Sequence, residues 1–245
     1  MKNQEDLLWK FDWDTLVVLD ACRYDYFNDL YLDHVTKKGV LSKVRSPASQ
    51  TYPWLHHMFP DKYECHVYSA HPGINSKGVA RAGTWKADEH FKTIDDLWDW
   101  GWDNELSTVH PTIVVEKVMD DINNYELRDK NIIWFMQPHF PYIGKFKIEA
   151  EWVNDKRMLK HAWTRIIEGE YPVSAVREAY RDNLTLVLDS LDSLLPNIGG
   201  RTVVTGDHGE LLGEYTNLNR KQRFGHWPGM DLPELREVPW LELKL

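Results

Sequence analysis

Cysteine is scarce: Cys22 and Cys65 are the only two in 245 residues. Neither stands in a Cys-x-x-Cys or Cys/His spacing, so a disulfide framework and a zinc finger are excluded, and both read as reduced thiols. No run of about 18 apolar residues occurs, which excludes a bilayer-spanning helix. The polar start Met1-Lys2-Asn3-Gln4-Glu5-Asp6 lacks the apolar stretch and small-residue cleavage site of an export signal, so a cytoplasmic address is expected. Basic charge is in deficit, with 29 Lys and Arg against 38 Asp and Glu, a net charge of −9. Nucleic acid is therefore not expected as a partner, since no broad basic face is available for a phosphate backbone. Internal repeats and low-complexity linkers are absent as well.

What the chain does have is apolar and aromatic mass, 42% hydrophobic residues with twelve tryptophans, enough for a sizeable core. The tryptophans read as large core rings, with a sugar-stacking surface from Trp85, Trp98, Trp100 and Trp102 as the alternative. Four short apolar runs read as buried strands: Leu16-Val17-Val18-Leu19, Val67-Tyr68, Ile132-Ile133-Trp134-Phe135-Met136 and Thr202-Val203-Val204. Helical periodicity lies between them, from Thr112 to Tyr125 and from Ser174 to Leu195, the second stopped by Pro196. Strands alternating with helices predict a layered α/β fold with a largely parallel central sheet. One domain over residues 1–245 is expected, with excursions from the sheet core near 76–108 and 144–172.

In such sheets ligands gather at the carboxyl ends of the strands. Asp20 follows the first run, Gln137-Pro138-His139 the third, and Asp207-His208-Gly209-Glu210 the fourth. Two carboxylates and an imidazole from separate strands suit a divalent cation, which makes Asp20, Asp207 and His208 candidate ligands. The plain alternatives are that Asp20 caps a helix over 21–32 and that Asp207 is a turn residue. A nucleophile is sought in Ser46-Pro47-Ala48-Ser49-Gln50-Thr51, just before a predicted helix start that would favour an anion. Helix capping would require the same geometry of Thr51, and residue physics does not choose among Ser46, Ser49 and Thr51. His56, His57, His71, His110 and His161 are expected on the surface or in loops, Tyr142 in packing, and Cys22 as a small buried side chain.

The spacing of Val17-Val18-Leu19-Asp20-Ala21-Cys22-Arg23-Tyr24-Asp25, Gln50-Thr51-Tyr52-Pro53, Gln137-Pro138-His139-Phe140-Pro141-Tyr142, Thr205-Gly206-Asp207-His208-Gly209-Glu210 and Phe224-Gly225-His226 resembles the alkaline phosphatase superfamily. Within it the pattern is most similar to small archaeal-type sulfatase-like and phosphodiesterase-like proteins, over about residues 12–240. The resemblance implies an αβα sandwich. It implies Asp20, Asp207 and His208 as metal ligands, and Thr51 as both ligand and nucleophile. It implies His139 and His226 in contact with the transferred group or holding a second ion, and Arg23 in substrate binding.

Two departures narrow that expectation. Sulfatases of the family need a Cys or Ser in a Cys/Ser-x-Pro-x-Arg motif for conversion to an aldehyde hydrate, and no such motif surrounds Thr51. Two-metal members carry an aspartate and a histidine four residues apart before the end of the middle strand, and that pair is missing here. The expected activity is therefore hydrolysis of a phosphodiester or phosphomonoester through a phospho-threonine. The expected cofactor is one divalent ion, zinc or manganese ahead of magnesium, with a second possible. The substrate is expected to be a small-molecule or glycan-linked phosphate ester. The alternatives are a sulfatase-like or phosphotransferase enzyme on the same site, or a catalytically silent binder of glycans or protein.

Overall fold

The structure, a computed structural model, describes residues 1–80, 85–148, 160–215 and 222–244. Its strands are β1 (Lys2–Asn3), β2 (Thr15–Leu19), β3 (Val40–Arg45), β4 (Tyr63–Ser69), β5 (Phe91–Asp95), β6 (Trp102–Asp103), β7 (Thr108–Val109), β8 (Asn131–Phe135), β9 (Arg201–Gly206), β10 (Leu211–Tyr215), β11 (Gln222–Gly225) and β12 (Glu237–Lys244). The helices are α1 (Gln4–Lys10), α2 (Tyr24–His34), α3 (Thr51–Met58), α4 (Ala87–His90), α5 (Leu97–Trp100), α6 (Pro111–Asn123), α7 (Lys160–Ile167), α8 (Val173–Leu194) and α9 (Pro233–Arg236).

Eight strands form the central sheet in the order β1-β3-β12-β9-β2-β8-β4-β5. The run β9-β2-β8-β4-β5 is parallel throughout, and β12 is antiparallel to both of its neighbours. The side-chain period of two sorts each central strand between two cores. Val17, Leu19, Tyr68, Ile133, Phe135 and Val204 face α2, α6 and α8. Leu16, Val18, Val67, Ile132, Trp134 and Val203 face α1 and α3. The result is the expected three-layer αβα arrangement. With both faces covered, the central strands read as continuous apolar runs rather than alternating ones.

Two expectations change in detail. The stretch 76–108 is not wholly an excursion, because β5 within it forms the outer parallel strand of the sheet against β4. The helix after Asp20 begins at Tyr24, with Arg23 at its cap position. The 144–172 stretch lies partly outside the described residues.

Register is what builds the site. Leu19 pairs with Phe135 on one side and Gly206 on the other. The next residues of β2 and β9, Asp20 and Asp207, therefore leave the sheet side by side.

Candidate metal centre and cleft

Asp20, Asp207 and His208 are buried at 1% exposure or less, and they offer one donor atom each within 4.8 Å of one another. Asp207 Oδ1 is held by the N–H groups of Ala21 and His208, both at 2.9 Å. Trp134 Nε1 donates to Asp20 Oδ2 at 3.2 Å. His208 donates from Nδ1 to the Gly209 carbonyl at 2.8 Å, so its Nε2 keeps a lone pair. That lone pair faces Asp207 Oδ2 at 3.4 Å and Asp20 Oδ1 at 3.9 Å.

Those two carboxylate oxygens have no hydrogen-bond donor among the described residues. Buried polar atoms are nearly always paired, so three acceptors converging on one point call for a cation or for protons. Burial raises the pKa of both aspartates, and the Asp207 charge raises that of Asp20 further. Burial also drives His208 well down, which keeps it neutral. The donor set of two carboxylates and a neutral imidazole thus fits a divalent ion.

Thr51 lies beside this cluster. It is the first residue of α3, whose cap position belongs to Gln50 with no side-chain cap bond. Its Oγ1 sits 3.3 Å from His208 Nε2, so the hydroxyl serves the cluster rather than the helix end. The other two candidates face backbone: the Ser46 hydroxyl lies between the Ala48 and Asp207 carbonyls, and Ser49 donates to the Trp227 carbonyl. Asp20 is likewise no helix cap, since α2 starts four residues later.

A second donor cluster adjoins the first: His139, Glu210 and His226, again within 4.8 Å. Hairpin pairing of Leu211 with Gly225 brings His226 to Glu210, and Glu210 Oε1 lies 3.0 Å from His226 Nδ1. Glu210 is fully buried, and its Oε2 has no partner among the described residues. His139 donates from Nδ1 to the Phe140 carbonyl at 2.5 Å, and burial lowers its pKa to about 4. For His226 burial pulls downward, but the Glu210 carboxylate outweighs it and the pKa is raised. The His226 ring lies 4.4 Å from that of His208 and 5.1 Å from that of His139. Glu210 was not among the site residues expected from sequence. Its signal was position, a carboxylate directly before the buried Leu211-Leu212 pair. Gly209 beside it is required, because a Cβ there would stand 2.0 Å from the Glu234 carbonyl.

Asp20, Thr51, His139 and His226 open onto a cleft of about 480 Å³, whose wall adds Gln50, Tyr52, His56 and His71. His71 stands in the loop after β4, as expected, and its Nε2 lies 3.8 Å from Asp20 Oδ2, which brings it into the cleft. The Gly73 N–H donates to His71 Nδ1 at 2.9 Å, so the neutral ring carries its proton on Nε2 and presents a donor. His56 is exposed on the cleft rim, while His110 caps α6. The His161 side chain lies outside the described residues.

Arg23 does not reach the cleft. Its guanidinium pairs twice with Asp25, at 2.9 and 2.6 Å, and once with Glu214 at 2.6 Å, and it also donates to the Glu210 carbonyl. It lines a separate cavity with Asp25, Glu214 and Arg177. Two carboxylates and a carbonyl occupy its N–H groups, so the expected substrate contact becomes a brace behind Glu210. Cys22 is fully buried, and burial pushes its thiol pKa far up, which leaves it inert. Of the four tryptophans considered for a sugar face, Trp85 is buried, Trp98 and Trp102 pack against the core, and Trp100 alone is largely exposed. Among the described residues no helix is long and apolar enough to cross a membrane.

No protein-family model matches the sequence, and neither does any curated protein. Solved structures do match. The soluble domain of lipooligosaccharide phosphoethanolamine transferase A from Neisseria meningitidis superposes with a TM-score of 0.60 at 14% identity, over 94% of this chain and 75% of that one. A protein of the alkaline phosphatase superfamily from Vibrio parahaemolyticus gives 0.52 at 9% identity, over 95% and 60%. The fold is that of the alkaline phosphatase superfamily. The C-terminal periplasmic domain of EcEptC from Escherichia coli, in complex with Zn, shares the fold with a TM-score of 0.52 at 13% identity, over 99% of this chain and 75% of that one.

Proposed function

We propose that this protein is a metal-dependent enzyme that cleaves phosphate esters with Thr51 as the nucleophile. The observation that carries the reading is the convergence of the unpaired Asp20 and Asp207 oxygens and the His208 lone pair, with Thr51 Oγ1 at 3.3 Å from His208 Nε2. A divalent cation held by Asp20, Asp207, His208 and Thr51, zinc or manganese ahead of magnesium, would acidify the Thr51 hydroxyl and draw charge from a phosphoryl oxygen. One ion in this deeper cluster suffices.

Thr51 Oγ1 attacks phosphorus, and its proton passes to the Asp207 carboxylate. The bond from phosphorus to the ester oxygen breaks with its electron pair on that oxygen. His226, protonated because Glu210 raises its pKa, gives the leaving oxygen its proton. A phospho-threonine results. Water then attacks phosphorus and yields a proton to the now neutral His226. The bond to Thr51 breaks, and Asp207 returns the hydroxyl proton. The Nε2–H of His71 is placed to bind a non-bridging oxygen throughout.

Transfer to an alcohol instead of water is the second reading, favoured by the likeness to a phosphoethanolamine transferase. Both readings share the same intermediate. A sulfatase using an aldehyde hydrate is disfavoured because Thr51 does not yield that group. The natural substrate under either reading is a small-molecule or glycan-linked phosphate ester.

The test is elemental analysis of wild type beside Asp207→Asn, with turnover of nitrophenyl phosphate mono- and diesters, a sulfate ester, and an added acceptor alcohol. Metal in the wild type only, and turnover abolished by Thr51→Ala, are expected. Equal metal in both proteins, or turnover that survives Thr51→Ala, defeats the proposal. A silent glycan or protein binder would turn over none of these esters and would bind its ligand without metal.

A further inference from the structure

Gln4 is a fully buried polar side chain in the first turn of α1, and its partners lie far away along the chain. Its Oε1 accepts from Trp54 Nε1 at 2.8 Å. Its Nε2 donates to the Gly206 carbonyl at 2.7 Å and to Thr205 Oγ1 at 2.8 Å, 201 residues distant. The Thr205 hydroxyl passes its own proton to the Pro239 carbonyl at 2.6 Å. The orientation of the amide is forced. An indole N–H can only donate and a main-chain carbonyl can only accept, so the oxygen must face Trp54 and the nitrogen Gly206.

Each partner adjoins a residue of the candidate centre. Trp54 stands three residues after Thr51 on α3, within one helical turn. Gly206 shares a peptide bond with Asp207, so fixing its carbonyl fixes the plane from which Asp207 and His208 depart. The Trp54 ring packs edge-on against Trp134 with centroids 5.5 Å apart, and Trp134 donates to Asp20. One amide thus joins the helix that carries the hydroxyl to the strand that carries two of the donors. It does so from beneath the site and without lining the cleft.

The geometry points to Gln4 as a positioning residue that sets Thr51 against Asp207 and His208. The inference rests on the proposed reading of those three residues as nucleophile and metal ligands. A glutamine is specifically required. A carboxylate would keep the acceptor for Trp54 but would present a second acceptor to the Gly206 carbonyl, and an apolar side chain would strand all three partners.

The experiment compares Gln4→Glu and Gln4→Met with wild type at 25 °C, titrating chelator-treated protein with zinc alone and measuring kcat and KM on a nitrophenyl phosphodiester. Outer partners of metal ligands typically control affinity or activity by about 10- to 100-fold. A loss of that size is expected in zinc affinity and in kcat at saturating zinc, with KM within about twofold because the cleft wall is untouched. Zinc affinity and kcat equal to wild type, with only the melting temperature lowered, would mean a structural role and overturn the inference. Trp54→Phe removes the indole N–H end of the same bridge, together with part of a buried ring. If the Gln4 variants do not fold, it is judged by the same two criteria. Asp207→Asn runs in parallel: if it binds zinc like wild type, the underlying site fails rather than the role of Gln4.

Discussion

The main-chain N–H of Ala21 donates to Asp207 Oδ1 at 2.9 Å, across 186 residues of chain. The turn that follows one candidate ligand therefore aims the carboxylate of another. Ala21 has a φ of +57°, a left-handed conformation that costs an alanine roughly 1–2 kcal/mol. The strain is held from outside: the Tyr180 hydroxyl on α8 donates to the Ala21 carbonyl at 2.7 Å and accepts from the Arg23 N–H at 2.9 Å. Gly206 completes the fit, since a Cβ there would stand 2.6 Å from the Cys22 carbonyl. Local strain at a site of this kind persists only where the surroundings over-determine it.

Tyr180→Phe should expose that dependence. The ring stays, but a buried carbonyl and a buried N–H lose their partner, at a cost of about 1–3 kcal/mol in denaturant unfolding. With the turn released, Asp207 loses its fixed aim and zinc affinity falls too. A variant that is destabilised yet binds zinc as tightly as wild type would separate the turn from the metal centre.

Asp207→Asn should stabilise the metal-free protein while destroying its metal binding. The amide oxygen can still accept from Ala21 and His208, and the mutual repulsion with Asp20 disappears. Both aspartates have folded pKa values raised above the unfolded ones. Relative to the unfolded chain they favour the fold below the ordinary carboxylate pKa, and that contribution is lost as pH rises through the raised values. His208, lowered by burial, has the opposite sign but is common to both proteins. In chelator at pH 8, Asp207→Asn should melt a few degrees higher, at about 2–4 °C per kcal/mol for a chain of this size. The gap should close toward pH 4, and added zinc should reverse the order. A lower melting temperature for Asp207→Asn in chelator at pH 8 would contradict the electrostatic account.

The parts of this site legible in sequence are those where a short apolar run ends on an ionisable residue. Buried parallel strands are continuous in hydrophobicity, and ligands collect at their carboxyl ends. That combination locates Asp20, His139, Asp207 and His208. Carried on from Val67-Tyr68, it leads past Ser69 to His71, a residue expected in a surface or loop position with no role in the site, because a single histidine after two apolar residues has no local mark. Strands β3 and β5, the second strand from one edge of the sheet and the outer strand at the other, are partly exposed and carry Ser42, Lys43, Lys92 and Thr93, so neither reads as a core strand. In β12, Pro239 pairs with β3 directly before Trp240, Leu241 and Glu242, which pair on both sides, and proline ordinarily argues against such an assignment. Gln4 is invisible for a different reason: every one of its partners is supplied by tertiary structure.

His71 should matter to turnover and not to metal content. Its Nδ1 accepts the Gly73 N–H, so the neutral ring offers a proton rather than a lone pair to the cleft. Losing one directed donor of this kind commonly costs about 2.7–4 kcal/mol in the barrier. His71→Ala should fall by that amount in kcat, His71→Gln by less, and both should hold as much zinc as wild type. Reduced zinc content in either variant would make His71 a ligand and remove it as a donor.

Glu210→Gln tests whether the outer cluster works through a proton or through a second ion. The Glu210 carboxylate is what raises the His226 pKa against the opposing effect of burial. With the carboxylate gone, His226 loses its proton at lower pH. If His226 gives the leaving oxygen its proton, the alkaline limb of kcat/KM must then move to lower pH, because activity requires the protonated ring. Zinc content should stay at one equivalent in wild type and variant alike, since Asp20, Asp207 and His208 are untouched. Two equivalents in wild type falling to one in Glu210→Gln would assign His139, Glu210 and His226 to a second ion. An alkaline limb that stays in place would rule out His226 as the proton donor, leaving Thr51 and the inner cluster to act with a different acid.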